Sequence, residues 1–472
     1  MAKYFGTDGI RGKAGESLTP EFALKAGYAI AKALGSIARL AGSRGRLGQK
    51  SLFPLSNQKR NFAGKPIALA PFPAVVIAQD TRLSSPMLAG ALKSGILATG
   101  TSVIDLGIVP TPALALAVNY IESIGGVMVT ASHNPIEDNG IKVFRSNGIK
   151  AGDKLEAQIE QIIDEHPFTP KGPYFGKAVS FDFFPLYLRH LKKMLRGMDG
   201  EGTKVALDCA FGATSIFAKE VFSAFGFKPF SINDVYDGWC VNVNCGSTNT
   251  QPLRDFMRRK RISLGFAFDG DGDRAISVDG KFKEVDGDKI LAILTLKHKP
   301  YLKSGKVVFT EMTNLGVEWY LKKHGIKCYR TGVGDYQVLM EMLKRRALIG
   351  GEQSGHIILW DKHCTGDGIL VSLFLALTLV KKSLSLSQMA EEIPTFAQVL
   401  RSIPVRDRLS WMKNREFLAR LDELKRGFEP EVRFYIRPSG TENCVRVLTE
   451  SKVHALAETA NSQVCELFNS LG

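Results

Sequence analysis

Six consecutive residues, Asp269-Gly270-Asp271-Gly272-Asp273-Arg274, place three carboxylates at alternate positions directly after the apolar run LGFAF. Carboxylates so spaced can converge on one hard cation, and the intervening glycines permit the tight backbone that convergence needs. Ligation by oxygen alone favours magnesium or calcium over zinc. A calcium loop of the EF-hand type needs a bidentate Glu at about its twelfth position. Here that position is Gly280, so the EF-hand reading fails. A solvated acidic turn is the plain alternative; a metal-binding loop at Asp269, Asp271 and Asp273 is the expectation.

A second segment, TASHNP (Thr130 to Pro135), follows the strand-like GGVMVT and precedes DNGIK (Asp138 to Lys142). Ser132 falls where a strand meets a turn. A serine hydroxyl is a weak nucleophile that needs a base or a metal beside it. His133 and Lys142 are near in sequence and suited to handling protons and charge, but no Asp–His pairing for a hydrolase triad is visible. On its own the segment also reads as a capped turn. Two loops suit recognition of a phosphorylated sugar. GEQSGH (Gly351 to His356) offers Glu352, Ser354 and His356 to sugar hydroxyls. RPSGTE (Arg437 to Glu442) sets Arg437 beside Ser439, Gly440 and Thr441, a guanidinium with hydroxyls and exposed N–H groups that can cradle phosphate. Either could equally be an ordinary polar hairpin. Near the start, FGTDGIRG (Phe5 to Gly12) presents Arg11 in a glycine-flanked loop. Neither a Walker A loop nor GxGxxG occurs, so ATP and NAD are not indicated.

The elements that must hold these loops follow a repeated plan. Strand, turn, amphipathic helix, glycine and second strand recur at Ala74 to Gly107, Lys204 to Asn233 and Lys306 to Gly332. Such alternation predicts mixed or parallel sheets covered by helices. It gives three similar α/β domains followed by a smaller α+β domain built on Val432 to Ile436, Cys444 to Leu448 and a helix from Val453 to Phe468. Linkers are expected at Pro167 to Gly176, Asp279 to Gly287 and Glu392 to Pro404, dividing the chain into 1–175, 176–280, 281–395 and 396–472. The segment from Gly42 to Pro73 reads as a long loop between a helix (Pro20 to Leu40) and the first strand.

Composition sets the bounds. With 472 residues, 44% hydrophobic and 23% charged, the chain is that of an ordinary multidomain globular protein. The longest apolar stretch, Ile369 to Val380, is shorter than the roughly 20 residues a bilayer span needs, so a buried helix is expected there. Met1 to Gly12 holds no apolar run of the signal-peptide kind. Seven cysteines, scattered and never spaced CxxC, indicate neither a disulfide framework nor zinc and fit a reducing cytoplasm. The net charge of +15 is partly local, in the basic run between Gly42 and Pro66 and at Arg258 to Arg261. No aromatic-interleaved basic motif accompanies these runs, so nucleic acid is not the expected partner.

In this order FGTDGIRG, TASHNP with DNGIK, DGDGDR, GEQSGH and RPSGTE closely resemble the motif set of the α-D-phosphohexomutase family, and the match covers essentially the whole chain. GTDGIRG and GEQSGH are nearer the glucosamine branch than the mannose/glucose branch, which usually has Met at the position of Gln353. The resemblance implies four domains in a heart shape around a central cleft, each supplying one loop. It implies a cytoplasmic isomerase that moves phosphate between O6 and O1 of glucosamine, for amino-sugar and cell-wall precursors. Ser132 would carry the phosphoryl group, and with Asp269, Asp271 and Asp273 would hold one magnesium ion per subunit. Arg11 and Lys142 would steady the transferring group, with His133 and Arg274 nearby. Glu352, Ser354 and His356 would hold the sugar, and Arg437, Ser439, Gly440 and Thr441 the phosphate that is not reacting. A hexosamine 1,6-bisphosphate would be intermediate and primer. The implied partner is a phosphosugar, with no nucleic acid and no membrane; a homodimer is compatible with the sequence, which does not fix oligomeric state.

Departures from the family pattern are local. Tyr336 stands for an expected Arg in GVGDYQV, Asn249 for His in NCGSTN, Phe211 for Asn in DCAFGA and Asn443 for Pro after Glu442. They bear on substrate choice, so phosphoglucomutase or phosphomannomutase is the near alternative. Two readings from other classes are a haloacid-dehalogenase-like phosphatase with Asp269 as nucleophile, and a non-catalytic basic protein binding nucleic acid through Gly42 to Pro73.

Overall fold

In a computed structural model that describes residues 3–6, 8–43, 67–165, 167–170, 172–439 and 443–470, four sheets follow one another along the chain. The first contains β1 (Phe5–Gly6), β2 (Gly9–Lys13), β3 (Ala74–Gln79), β4 (Ser102–Ile108), β5 (Gly125–Val129), β6 (Asp138–Arg145) and β7 (Ala178–Ser180). Their order is β1-β2-β6-β5-β3-β4-β7, with β3, β4, β5 and β7 parallel and β6 antiparallel to β5. The run AVVIAQ reads as a nearly unbroken β-branched strand because helices cover both of its faces. Val75 and Ile77 pack with the helices Pro20–Ser43 and Ser85–Ala98, while Val76 and Ala78 pack with the helix Thr111–Tyr120 on the opposite side.

The second sheet orders β8 (Lys204–Asp208), β9 (Lys228–Ile232), β10 (Gly265–Phe268), β11 (Ala275–Val278) and β12 (Glu284–Val285) as β12-β11-β10-β8-β9. In the third, β13 (Lys306–Thr310), β14 (Lys327–Thr331), β15 (Ile349–Gly351) and β16 (Ile357–Leu359) run β14-β13-β15-β16. The last sheet, of β17 (Ala397–Pro404), β18 (Val432–Pro438) and β19 (Cys444–Ser451), is antiparallel and carries the helices Arg415–Phe428 and His454–Asn469. All three expected strand–helix–glycine–strand units are present. Each joins two parallel neighbours, β3 to β4, β8 to β9 and β13 to β14.

Two stretches expected as linkers contain structure. Within Glu392 to Pro404, β17 pairs with β19 along its whole length. Its sequence, AQVLRSIP, is interrupted by Arg401 and Ser402, so pairing across the sheet rather than local pattern makes it a strand. Within Asp279 to Gly287 lie β12 and Asp286, whose side chain caps the helix Gly287–Lys297 by accepting from the Lys289 N–H. The apolar stretch Ile369 to Val380 is the buried core of the helix Gly368–Lys381. Among the described residues no single helix is long and apolar enough to cross a membrane. Most of the loop expected between Gly42 and Pro73 lies outside the described residues; at its end Ile67 bridges to Ile121.

Candidate active site

Three motif loops leave the C-terminal ends of strands that pair in parallel with a neighbour: Thr130 to Ser132 after β5, Asp269 after β10 and Glu352 after β15. Strand ends of this kind are the usual seat of a ligand in an α/β sheet. Ser132 is 2% exposed and holds the left-handed backbone, φ +53°. Its N–H donates to Thr130 Oγ1 at 2.8 Å, and its hydroxyl donates to Asp269 Oδ2 at 2.6 Å. His133 Nδ1 lies 3.3 Å from the same Oγ. Burial, with Arg274 nearby, pulls His133 down to about 4, so its imidazole is neutral at pH 7.

The loop is clamped from beneath by Arg82. This guanidinium is wholly buried and donates to the carbonyls of Ser132 at 2.9 Å, Asn134 at 2.7 Å and Asp138 at 3.0 Å, and also to that of Pro135. Its charge is met by Asp80 at 3.1 Å, and Asp80 in turn accepts from Thr130 and Ser85. From the loop that follows β9, Asn242 Nδ2 donates to the Ser132 carbonyl at 2.8 Å. Gly270 lets the acidic loop come this near, since a Cβ there would stand 2.7 Å from that carbonyl oxygen.

Asp269, Asp271 and Asp273 are all buried, with one oxygen of each within 4.8 Å of the others. Lys142 Nζ sits against them, 2.7 Å from Asp271 Oδ2 and 3.1 Å from Asp273 Oδ2. Thr111 Oγ1 donates to Asp271 Oδ2 at 2.5 Å. Burial, with Asp273 and Asp271 adding to it, pushes Asp269 well above the usual carboxylate range. Burial acts the same way on Asp271, but the Lys142 charge together with hydrogen bonds from Lys142 and Thr111 holds that carboxyl below its ordinary range. Asp271 Oδ1 and Asp273 Oδ1 are buried and have no hydrogen-bond partner. Carboxylates here outnumber the cations Lys142 and Arg274, and unpaired buried oxygens are costly. The donor set therefore fits one hard divalent cation.

The remaining expected residues divide. Arg11 donates to the Ala131 carbonyl beside Ser132, and its other nitrogen is 3.8 Å from Asp8. The Arg274 N–H donates to Asp269 Oδ1 at 3.1 Å, and its guanidinium lies 3.9 Å from Asp273. In the β15–β16 hairpin, Glu352 Oε1 accepts from the Gly334 N–H at 3.1 Å, and burial raises its carboxyl. Ser354 is half-buried; His356 is 2% exposed with both ring nitrogens unpartnered. The hairpin is locked to the acidic loop, as the Ala275 N–H donates to the Gly355 carbonyl at 3.2 Å. Arg437 and Ser439 lie at the end of β18, and no hydrogen bond or ion pair among the described residues joins Arg437 to the Ser132 cluster. Gly440 and Thr441 lie outside the described residues.

Residues missed from sequence complete the arrangement: Asp80, Arg82, Thr111, Asn242, and the pair Lys150 and Asp335. The signal for the first two was AQDTRLS, an Asp-Thr-Arg directly after β3; the others carried none. Beside Tyr336, which stands for an expected Arg, Asp335 pairs with Lys150 at 2.9 Å. Phe211, in place of an expected Asn, holds φ +53°, a conformation Asn adopts more readily.

Comparison with known proteins points to one family. Family models of the phosphoglucomutase/phosphomannomutase α/β/α domains match in order: domain I at residues 2–45 and 37–170, domain II at 185–283 and domain III at 286–396. A curated phosphoglucosamine mutase of Carboxydothermus hydrogenoformans is 37% identical over 478 residues, covering 100% of both chains. That of Bacillus subtilis is 38% identical over 476 residues, covering 100% of this chain and 99% of its own. A phosphoglucomutase/phosphomannomutase family protein from Burkholderia thailandensis superposes with a TM-score of 0.76 at 21% identity, covering 99% of this chain and 97% of that one, a likeness of fold.

Proposed function

The chain belongs to the phosphoglucomutase/phosphomannomutase family, and from that membership we propose that it interconverts glucosamine 6-phosphate and glucosamine 1-phosphate through phosphorylated Ser132. It is a mutase, an isomerase that works by phosphoryl transfer. The single observation that carries the residue assignment is the Ser132 hydroxyl donating at 2.6 Å to Asp269 inside a buried acidic triad. A serine so placed is poised for phosphoryl exchange, and no other hydroxyl nucleophile is needed.

The cycle starts with Ser132 phosphorylated. O1 of glucosamine 6-phosphate attacks the phosphorus as the bond to Ser132 Oγ breaks, giving the 1,6-bisphosphate. The bisphosphate turns over in the cleft. Ser132 Oγ then attacks the phosphorus at C6, releasing glucosamine 1-phosphate and restoring the phosphoserine. Magnesium, held by Asp269, Asp271 and Asp273 with the Ser132 phosphate, would supply charge neutralisation for the transferring group. Lys142, at Asp271 and Asp273, and Arg11, at the Ala131 carbonyl, place positive charge near Ser132. His133, neutral and beside Oγ, is available to take the proton of an attacking hydroxyl and return it to the departing oxygen, carrying charge only while it holds that proton. Glu352, Ser354 and His356 would hold the sugar hydroxyls, and the Arg437–Thr441 loop the distal phosphate. A dead-end acyl phosphate on Asp269 is disfavoured, because that carboxyl already accepts from Ser132 and from the Arg274 N–H.

The substrate reading is tested on Ser132-phosphorylated protein with glucosamine 6-phosphate, glucose 1-phosphate and mannose 1-phosphate, each with its bisphosphate and with or without magnesium. Magnesium-dependent turnover preferring glucosamine supports it. Preference for glucose or mannose keeps the chemistry and overturns the substrate.

A further inference from the structure

We propose that Lys150 is a positioning residue that sets the sugar-binding loop in register with the phosphoryl-transfer loop. The inference rests on the mutase reading above. Lys150 lies just after β6, is 8% exposed, and touches neither Ser132 nor the acidic triad directly. Its ammonium joins two carboxylates from distant parts of the chain, 3.0 Å from Asp8 Oδ1 and 2.9 Å from Asp335 Oδ1. Each carboxylate belongs to a loop already placed in the site.

On one side, Asp8 precedes Arg11 in FGTDGIRG and lies 3.8 Å from its guanidinium, which holds the Ala131 carbonyl next to Ser132. On the other, Asp335 opens the helix Asp335–Arg345, and the preceding Gly334 gives its N–H to Glu352. The polar path thus runs from Ser132 through Arg11, Asp8, Lys150 and Asp335 to Glu352, crossing from the first sheet's domain to the third's. Burial opposes the charge on Lys150, yet Asp335 and Asp8 raise it above an ordinary lysine, so the bridge stays charged.

A buried ion bridge is weak evidence for stability, because apolar residues of like volume often serve the fold as well. What apolar packing does not supply is a fixed distance and direction between two polar loops. An error of about 1 Å between a sugar hydroxyl and the phosphorus it attacks can cost around a hundredfold in rate. Lys150 supplies that register across the cleft.

The test compares wild type, Lys150→Met, Glu352→Gln and the double variant, all as full-length phosphorylated enzyme, by kcat and KM for the sugar phosphate. Lys150→Met should lower kcat/KM by roughly tenfold to a hundredfold. If Lys150 acts through Glu352, the double variant should be little worse than Glu352→Gln alone. A general structural defect would instead multiply the two penalties. Because Lys150→Met strands two carboxylates, a triple variant, Asp8→Asn, Lys150→Met and Asp335→Asn, removes all three charges together. It should melt near wild type and still lose the same catalytic factor. Multiplied penalties, or a Lys150→Met or triple variant within about twofold of wild type, overturn the proposal while the mutase reading stands. Absence of turnover in the wild type would instead remove the mutase reading itself.

Discussion

Ser132 combines a left-handed backbone with a hydroxyl aimed at a carboxylate from a distant part of the chain. The loop keeps that shape because Arg82 gathers the carbonyls of Ser132, Asn134, Pro135 and Asp138 around one buried guanidinium. Replacing Arg82 with Met leaves Asp80 buried without its cation and those carbonyls short of a donor. That loss should destabilise the protein by about 3–5 kcal/mol, measured by chemical denaturation. It should also reduce activity in whatever fraction remains folded. The three aspartates stood out as a metal loop from residue type and spacing, whereas Ser132 stood out as the carrier only through the resemblance of the ordered motif set. Arg82 did not stand out, because an Asp-Thr-Arg after a strand looks like any polar turn until the chain brings Ser132 back to it. Lys150 and Asp335 were hidden for the same reason, as ion pairs between distant segments have no local signature.

At the scale of elements, the three strand–helix–glycine–strand units were visible because their alternation of period and punctuation is local. β17 was not, since its strand state depends on pairing with β19. The site depends on how closely loops from different sheets meet, and one glycine tests this. A Cβ on Gly270 would lie 2.7 Å from the Ser132 carbonyl oxygen and 2.9 Å from Asn242 Nδ2. Gly270→Ala should therefore push the acidic loop away from Ser132. We expect kcat to fall by roughly a hundredfold. Overall stability should change much less, by comparison of melting curves with turnover. Equal loss of both would mean the close approach matters only to folding.

Across the whole molecule, the sheets are joined by polar contacts as well as apolar packing. His190 hydrogen-bonds the Lys362 carbonyl at 2.8 Å and faces the Tyr120 hydroxyl at 3.3 Å, so it touches parts of three domains. Burial lowers its pKa from 6.5 to about 4. Between pH 6.5 and 4 the unfolded chain therefore takes up a proton that the folded one refuses, and stability falls as pH falls through that window. In His190→Gln the slope of unfolding free energy against pH should be shallower there, by up to about 1.4 kcal/mol per pH unit. An unchanged slope would mean His190 is not buried in its neutral form. The net charge of +15 finds little use at the site, where Arg82 and Lys142 are matched by buried carboxylates and Lys150 by the half-buried Asp8 and Asp335. Every transfer step of the cycle passes through Ser132 as the phosphoryl carrier. The most direct measurement incubates the protein with bisphosphate labelled in phosphorus, then locates the label and follows it into product. The prediction is label on Ser132 that resists hydroxylamine, passes to glucosamine phosphate and is absent from Ser132→Ala. Hydroxylamine-labile label on Asp269, or undiminished turnover by Ser132→Ala, would contradict it.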